Sequence, residues 1–179
     1  VQTRVVDEDM NDCPPGVHGE IVHRSPQLLE EYYNKPEETA AAYTPDGWLH
    51  TGDVGTIDAE GYLTLTGRIK ETYRCGGEMV MPREIEELVC EHPLVAQAFV
   101  VGIPDPKMGE IGCVCVVPAS HTTPSPQDII DLCASRLAKF KVPRHVIFLS
   151  VGDIPFTATG RPQKFKLAEL VQQRLSQMN

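Results

Sequence analysis

The chain has 179 residues, with 16 Lys and Arg against 25 Asp and Glu and a formal net charge of −9. Its 41% apolar and 23% charged content is that of a globular protein, long enough for one domain plus part of another. The acidic balance argues against a nonspecific nucleic-acid binder, and no apolar run approaches the ~20 residues that a membrane span requires.

The first part of the chain predicts mainly β structure. Ser25 is expected to cap a helix that starts at Pro26, and a second short helix opens at residues 35–39. The apolar stripe of the first helix would be formed by Leu28, Leu29, Tyr32 and Tyr33. Strands are expected over 1–6 and 19–24, followed by a hairpin made of 54–58 and 62–66.

The second part alternates strands and helices. A turn at Gly76-Gly77 follows a short strand over 71–74. Helices are expected over 82–90, 129–137 and 166–177, and further strands over 95–103, 111–117 and 146–149. This order predicts an α+β domain with a three-stranded sheet and helices on one face.

Between the two parts lies Thr66-Gly67-Arg68-Ile69-Lys70-Glu71, which combines small or flexible residues with two cations. We interpret it as a hinge that also touches a ligand. The predicted division is therefore a β-rich segment at 1–67, a hinge at 68–70 and a small domain at 71–179.

The six cysteines show neither C-x-x-C spacing nor zinc-finger histidines. They indicate reduced, mostly buried thiols. The chain begins at Val1 without the basic and apolar regions of a secretory signal, so we expect a cytoplasmic protein, and a piece of a longer one.

Three polar groups of residues are candidates for chemistry. Thr51-Gly52-Asp53 offers a carboxylate suited to a vicinal diol, although an Asp in a turn is usually a local cap. Arg68 with Lys70 offers cations for ribose or phosphate, although a lone Arg is more often a surface group. Residues 157–161 (Thr-Ala-Thr-Gly-Arg) offer hydroxyls, backbone N–H groups and a cation, although the segment taken alone favours a simple glycine-containing loop before a helix.

Together these segments resemble the C-terminal part of the adenylate-forming (AMP-binding) superfamily, which includes acyl-CoA synthetases, peptide-synthetase adenylation domains and luciferases. The matching motifs keep one order along nearly the whole chain: Gly19-Glu20-Ile21, residues 31–34, 47–53, Gly61-Tyr62, Gly67-Arg68, Gly76-Gly77-Glu78, Pro82 with 84–86, 101–105, Gly109-Glu110, 141–143 and 157–160.

The resemblance implies a two-step reaction in which a carboxylic acid is activated by ATP with Mg2+ and then transferred to coenzyme A. Coenzyme A is favoured over a carrier protein because no carrier domain follows Asn179. Residues 1–67 would end a large N-terminal domain, and 71–179 would be a small mobile lid. The phosphate loop and acyl pocket of the family lie upstream, so the chain alone is expected to be inactive.

Carried over from the family, Asp53 would hold the ribose hydroxyls, Arg68 would contact the nucleotide and Lys70 would be the pivot of the lid. Arg161 stands where the family carries a catalytic lysine that reaches the carboxylate and the α-phosphate. Because Arg is planar and fork-shaped, adenylation weaker than in Lys-bearing relatives is expected.

The resemblance also places Gly76 and Gly77 beside the tunnel for the pantetheine arm of coenzyme A. Arg74 is a candidate for the thioester-forming face, and Glu78 for ordering the loop.

Two alternatives remain open at this point. Lys164 or Lys166 could replace the missing lysine, although a solvated helix face is the ordinary interpretation of both. The chain could also be a catalytically degenerate lid that acts as a binding or interaction module, an alternative suggested by Arg161 and by the absence of the phosphate loop from these residues.

Overall fold

The computed structural model describes residues 1–119 and 122–178. Its chain contacts separate two compact units, Val1–Lys70 and Glu71–Asn179. The interpretation of residues 68–70 as a hinge stays a prediction.

The first unit is a four-stranded antiparallel sheet in the order β1-β2-β3-β4. Its strands are β1 (Gln2–Val6), β2 (Gly19–Arg24), β3 (Leu49–Ile57) and β4 (Leu63–Arg68), and its one α-helix in the described residues is α1 (Pro36–Ala42). Val6, Val22 and Trp48 form a buried cluster on this sheet. The prediction of mainly β structure is confirmed.

The prediction of a helix that starts at Pro26 is wrong, because residues 26–34 form turns instead. The Ser25 hydroxyl accepts the N–H of Gln27, two residues on, which makes a local turn rather than a helix cap. The expected apolar stripe is also poorly covered, since Tyr33 is 86% exposed and Tyr32 43%. A short helix without packing on its apolar face is only marginally stable in water.

The second unit is built on a five-stranded sheet, whereas the sequence predicts a three-stranded one. Four strands follow the order β6-β5-β8-β7 with antiparallel pairing, and β9 runs parallel to β8. The strands are β5 (Tyr73–Cys75), β6 (Glu78–Val80), β7 (Val95–Asp105), β8 (Gly109–Pro118) and β9 (His145–Phe148). The short strand expected over 71–74 joins this sheet as β5, and β6 is the strand that was not predicted. The predicted α+β class is confirmed.

Both faces of this sheet are covered, whereas the sequence predicts cover by helices on one face. Along β8, the consecutive side chains of Cys113, Val114, Cys115 and Val116 are all fully buried, and successive residues of a strand point to opposite faces. The helices are α2 (Pro82–Cys90), α3 (Pro126–Arg136) and α4 (Lys164–Met178). Among the described residues, no helix is long and apolar enough to cross a bilayer.

Tyr73 packs over two glycines that face each other on β7 and β8. Gly102 and Gly112 are direct partners in the strand register. A Cβ at Gly102 would lie 2.4 Å from the Cβ of Tyr73, and one at Gly112 would lie 2.4 Å from its hydroxyl oxygen. The two glycines therefore make the space in which the Tyr73 ring is buried.

Candidate functional site

Asp53 and Arg68 form an ion pair at the end of the first unit. They are direct partners in the β3-β4 register, and Asp53 Oδ1 lies 2.8 Å from Arg68 Nε. The two side chains are 27% and 52% exposed, so both remain accessible to a ligand. The register thus brings together two residues that are fifteen positions apart in the sequence.

The backbone before Asp53 is held by β2. Gly52 has a φ of +70°, and its N–H donates to Glu20 Oε1 over 3.0 Å. The other oxygen of Glu20 lies 2.8 Å from His50 Nδ1. The Thr51 hydroxyl accepts the N–H of Asp53 and donates to a β2 carbonyl. Glu20 belongs to a motif that supports the family resemblance, but no sequence pattern indicated that it holds the backbone before Asp53.

Lys70 lies in a short 3-10 segment, Ile69–Glu71, and is exposed. It is the last residue of the first unit. This position is compatible with a pivot, and the role itself stays a prediction.

Gly76 and Gly77 form the two-residue turn of the β5-β6 hairpin. Their φ angles are +64° and +89°, the left-handed pair of a type I′ turn, which glycine adopts without strain. The N–H of Gly76 donates to Met108 O over 2.8 Å, and a Cβ at Gly76 would lie 2.7 Å from Met108 Cε. The hairpin therefore approaches the Met108 loop closely at a glycine.

Arg74 and Glu78 flank this turn and are both exposed. The N–H of Arg74 donates to the Glu110 carboxylate over 2.9 Å. The Met108 loop is itself fixed by Asp105, whose carboxylate accepts the N–H groups of Met108 and Lys107. These hydrogen bonds, that of Met108 first, lower the pKa of the Asp105 carboxyl.

Arg161 closes a separate turn that precedes α4. Phe156 and Pro162 pair across the turn, and the N–H of Thr157 donates to Arg161 O over 2.8 Å. In return, Arg161 N donates to the Thr157 hydroxyl over 3.0 Å. Gly160, with a φ of +78°, makes the reversal possible. The Arg161 side chain is exposed, and the described residues give its guanidinium no ion pair.

Lys164 differs from its expected place on a solvated helix face. Its side chain is only 12% exposed, with Nζ 2.7 Å from Glu86 Oε1 and 3.1 Å from Glu71 Oε2. Lys166 is exposed, and its Nζ lies 5.7 Å from the centroid of the Phe165 ring. Because two carboxylates engage Lys164, it is a poor substitute for the missing family lysine.

The expected site residues thus fall into four places, of which the 3-10 segment carries Lys70. Asp53 and Arg68 are in contact, and the hairpin carries Arg74, Gly76, Gly77 and Glu78, whereas Arg161 lies on its own turn. No cluster of three or more His, Cys, Asp or Glu side chains in the described part of the chain is arranged to hold a metal ion. All six cysteines are free thiols, as predicted.

Residues 84–161 match the family model of the AMP-binding enzyme C-terminal domain. The chain is 44% identical over 151 residues to the long-chain-fatty-acid–CoA ligase FadD13 of Mycobacterium tuberculosis, with 84% of this chain and 29% of that protein covered. It is 36% identical over 179 residues to the medium-chain fatty-acid–CoA ligase of Escherichia coli, with 99% and 31% covered.

Among solved structures, the amide bond synthetase McbA from Marinactinospora thermotolerans is similar with a TM-score of 0.87 and 38% identity. That alignment covers 95% of this chain and 34% of McbA. The chain therefore spans about a third of the length of the proteins it matches.

Proposed function

Since the chain belongs to the adenylate-forming superfamily, as a C-terminal part related to acyl-CoA ligases, we propose that its full-length protein is an ATP-dependent acid–CoA ligase. In the first step an oxygen of the carboxylic acid attacks the α-phosphorus of ATP, and pyrophosphate leaves. In the second step the thiol of coenzyme A loses its proton and attacks the acyl carbonyl, and AMP leaves with the electrons of the broken C–O bond.

The observation that carries the proposal is the Asp53–Arg68 pair. A carboxylate has about four lone-pair sites, so Asp53 can accept ribose hydroxyls while Oδ1 stays bonded to Arg68. Arg68 keeps N–H groups besides Nε for the nucleotide. Glu20 and Thr51 hold the backbone around Asp53, so the carboxylate is presented with little reorganisation.

Arg161 is assigned to the first step. Its exposed guanidinium bears a permanent positive charge, suited to the negative charge that accumulates on the carboxylate and α-phosphate oxygens. The turn from Phe156 to Pro162 fixes the backbone from which it extends.

The β5-β6 hairpin is assigned to the second step. The space that a side chain of Gly77 would fill is open, so a narrow thiol-bearing arm can pass close to the backbone there, beside Gly76, whose side-chain position is filled by Met108. Arg74 and Glu78 flank that passage as polar contacts for coenzyme A. The second unit would move as a lid about Lys70 between the two steps, in a cytoplasmic enzyme.

Mg2+ would enter with the phosphates of ATP. This ion prefers oxygen ligands, keeps several waters and is often bound through one or two carboxylates and the substrate phosphates. That mode fits the described residues, where no group of three metal-ligating side chains converges.

The test compares the full-length protein with the 179-residue chain. With a panel of carboxylic acids, we expect the full-length protein to exchange pyrophosphate into ATP and to form AMP and acyl-CoA when coenzyme A is added. The 179-residue chain should do neither, because the upstream phosphate loop and acyl pocket are required. Exchange by that chain alone would contradict the requirement, and no AMP formation by the full-length protein would contradict the ligase.

Arg161 also supports a second candidate, a degenerate lid retained as a binding or interaction module. This candidate predicts that the full-length protein forms no acyl-adenylate. It also predicts that Arg161→Lys does not restore acyl-adenylate formation. Pyrophosphate exchange by the full-length protein decides between the two candidates.

A further inference from the structure

Lys164 joins two elements of the second unit that are far apart in the sequence. Its poorly exposed ammonium group contacts Glu86 of α2 and Glu71, the last residue of the 3-10 segment. An ammonium group removed from water is costly unless it is paired. The two carboxylates therefore fix the Lys164 side chain in this position.

Glu86 is the fixed end of this arrangement. Its Oε1 also accepts the N–H of Val100 over 2.7 Å, and its side chain is 17% exposed. Val100 is fully buried on β7, an edge strand of the five-stranded sheet. Glu86 thus connects Lys164 to the core of the second unit.

Glu71 is the end that can be released. It is the first residue of the second unit, and its side chain is 37% exposed. The next residue that is firmly buried along the chain is Tyr73, at 3% exposure. Without the pair to Lys164, residues 71 and 72 would have fewer contacts to hold them to the unit.

We infer that Lys164 is a positioning residue that ties Glu71 to the sheet through Glu86, so that the second unit moves as one body from Glu71 onward. The inference rests on the proposed function, in which this unit turns about Lys70. A shorter flexible segment confines the positions that Arg161 and the hairpin reach, and confinement raises the rate of a reaction that depends on orientation.

The test uses Glu71→Gln in the full-length protein. This change removes the pair to Glu71 but leaves Lys164 paired with Glu86, so that no buried charge is stranded. The matched control is Glu87→Gln, which breaks an exposed pair with Arg83 on α2 (side chains 64% and 52% exposed). Both variants make the same chemical change in one unit.

Hydrogen exchange of the amides at residues 70–73 should become about tenfold faster in Glu71→Gln, with β7 and β8 unchanged, and should not change in Glu87→Gln. Lys164→Met, which also removes the partner of Glu86, should accelerate hydrogen exchange at residues 70–73 at least as much, and adding Glu71→Gln to it should give no further increase. A hydrogen-exchange rate at residues 70–73 of Glu71→Gln within about twofold of the rate in the unmodified protein would overturn the inference. Equal acceleration in Glu71→Gln and Glu87→Gln would also overturn it.

The catalytic measurement compares the effect of Glu71→Gln on kcat with its effect on KM. In Glu71→Gln, kcat should fall about fivefold while KM for the acid and for ATP stays within about twofold, because the binding groups are untouched. Faster hydrogen exchange at residues 70–73 with an unchanged kcat would overturn the positioning role of Lys164. Hydrogen exchange needs no turnover. It therefore tests whether Lys164 holds Glu71 even if the full-length protein proved not to be a ligase.

Discussion

At the scale of single residues, the exposed Arg161 is the most informative departure from the family motif. The backbone of Arg161 is held in its turn by the bond from its N–H to the Thr157 hydroxyl and by the pairing of Phe156 with Pro162. A substitution of Arg161 therefore changes the charged group and leaves the fold in place. A lysine ammonium is a compact point charge on a flexible stem, whereas a guanidinium is a larger planar fork.

Arg161→Lys should therefore raise acyl-adenylate formation by the full-length protein roughly fivefold, which corresponds to about 1 kcal/mol of transition-state stabilisation. The measurement is pyrophosphate exchange at saturating ATP. Arg83→Lys, the same change at an exposed position of α2, is the control and should have no effect. A lower exchange rate in Arg161→Lys would show that the site is adapted to arginine.

Lys164 is the residue for which the sequence-based interpretation failed, although a signal was present. Leu167 and Val171, three and seven positions later, are fully buried, and this spacing places all three residues on one helix face. The lysine was assigned to solvent from its residue type alone. Its partners Glu71 and Glu86 come from other elements, and no local pattern predicts such contacts.

At the scale of elements, the packing of Tyr73 on β7 and β8 links three strands. The Tyr73 hydroxyl is buried, with no hydrogen-bond partner among the described residues, and burial raises its pKa well above the usual range. A buried hydroxyl without a partner costs free energy, and its removal is close to neutral or stabilising.

Tyr73→Phe should thus leave the free energy of unfolding unchanged or raise it by up to about 1 kcal/mol. Gly112→Ala should destabilise the Tyr73→Phe variant less than it destabilises the unmodified protein, because the added Cβ would meet the Tyr73 hydroxyl, which Phe lacks. Gly102→Ala is the control, since its Cβ meets Tyr73 Cβ and Cγ, which Phe retains. Urea denaturation of the single and double variants measures the coupling, and zero coupling at Gly112 would contradict this packing.

The N-terminus of α3 predicts a pH dependence. The Ser125 N–H donates to the Asp128 carboxylate, and the Asp128 N–H donates to the Ser125 hydroxyl, which makes a capping box. The bond from the Ser125 N–H is the main cause that lowers the pKa of Asp128 in the folded state. A lowered pKa contributes stability that is present above the unfolded pKa of about 3.9 and is lost as pH falls through the folded value.

Asp128→Asn should therefore destabilise the chain at pH 7, and the difference from the unmodified protein should shrink as the pH falls below about 4. Urea denaturation at several pH values gives the difference. Ser135→Ala, which removes an exposed bond to Leu132 O in the same helix, should show no such convergence. A difference that grows toward low pH would contradict the sign of the shift.

Elements with strong periodicity were predicted closely. The expected helix over 82–90 coincides with α2, and the two long apolar strands extend only slightly further as β7 and β8. The strand Glu78–Val80 is three residues long, too short for a period-2 pattern to be recognised. The failed helix at Pro26 had a helical pattern but no buried partner for its stripe, and a sequence pattern does not specify what covers it.

At the scale of the whole molecule, the family resemblance was predictable because its motifs are distributed over both units. They include Gly47-Trp48 and Asp53 in the first unit, and Gly76-Gly77 and residues 157–160 in the second. The motifs specify local turns and single functional groups. The Asp53–Arg68 contact depends on strand register, which a bulge between Val54 and Gly55 shifts.

The central claim is that the second unit presents Arg161 for the first step and the Gly76-Gly77 hairpin for the second. The most direct measurement is the rate of each half-reaction in full-length Arg161→Ala, with the second half-reaction started from synthetic acyl-adenylate and coenzyme A. Adenylation should fall about 100-fold and thioester formation by less than about threefold, because under the proposed function Arg161 is assigned to the first transition state alone. An equal fall in both half-reactions would contradict the claim.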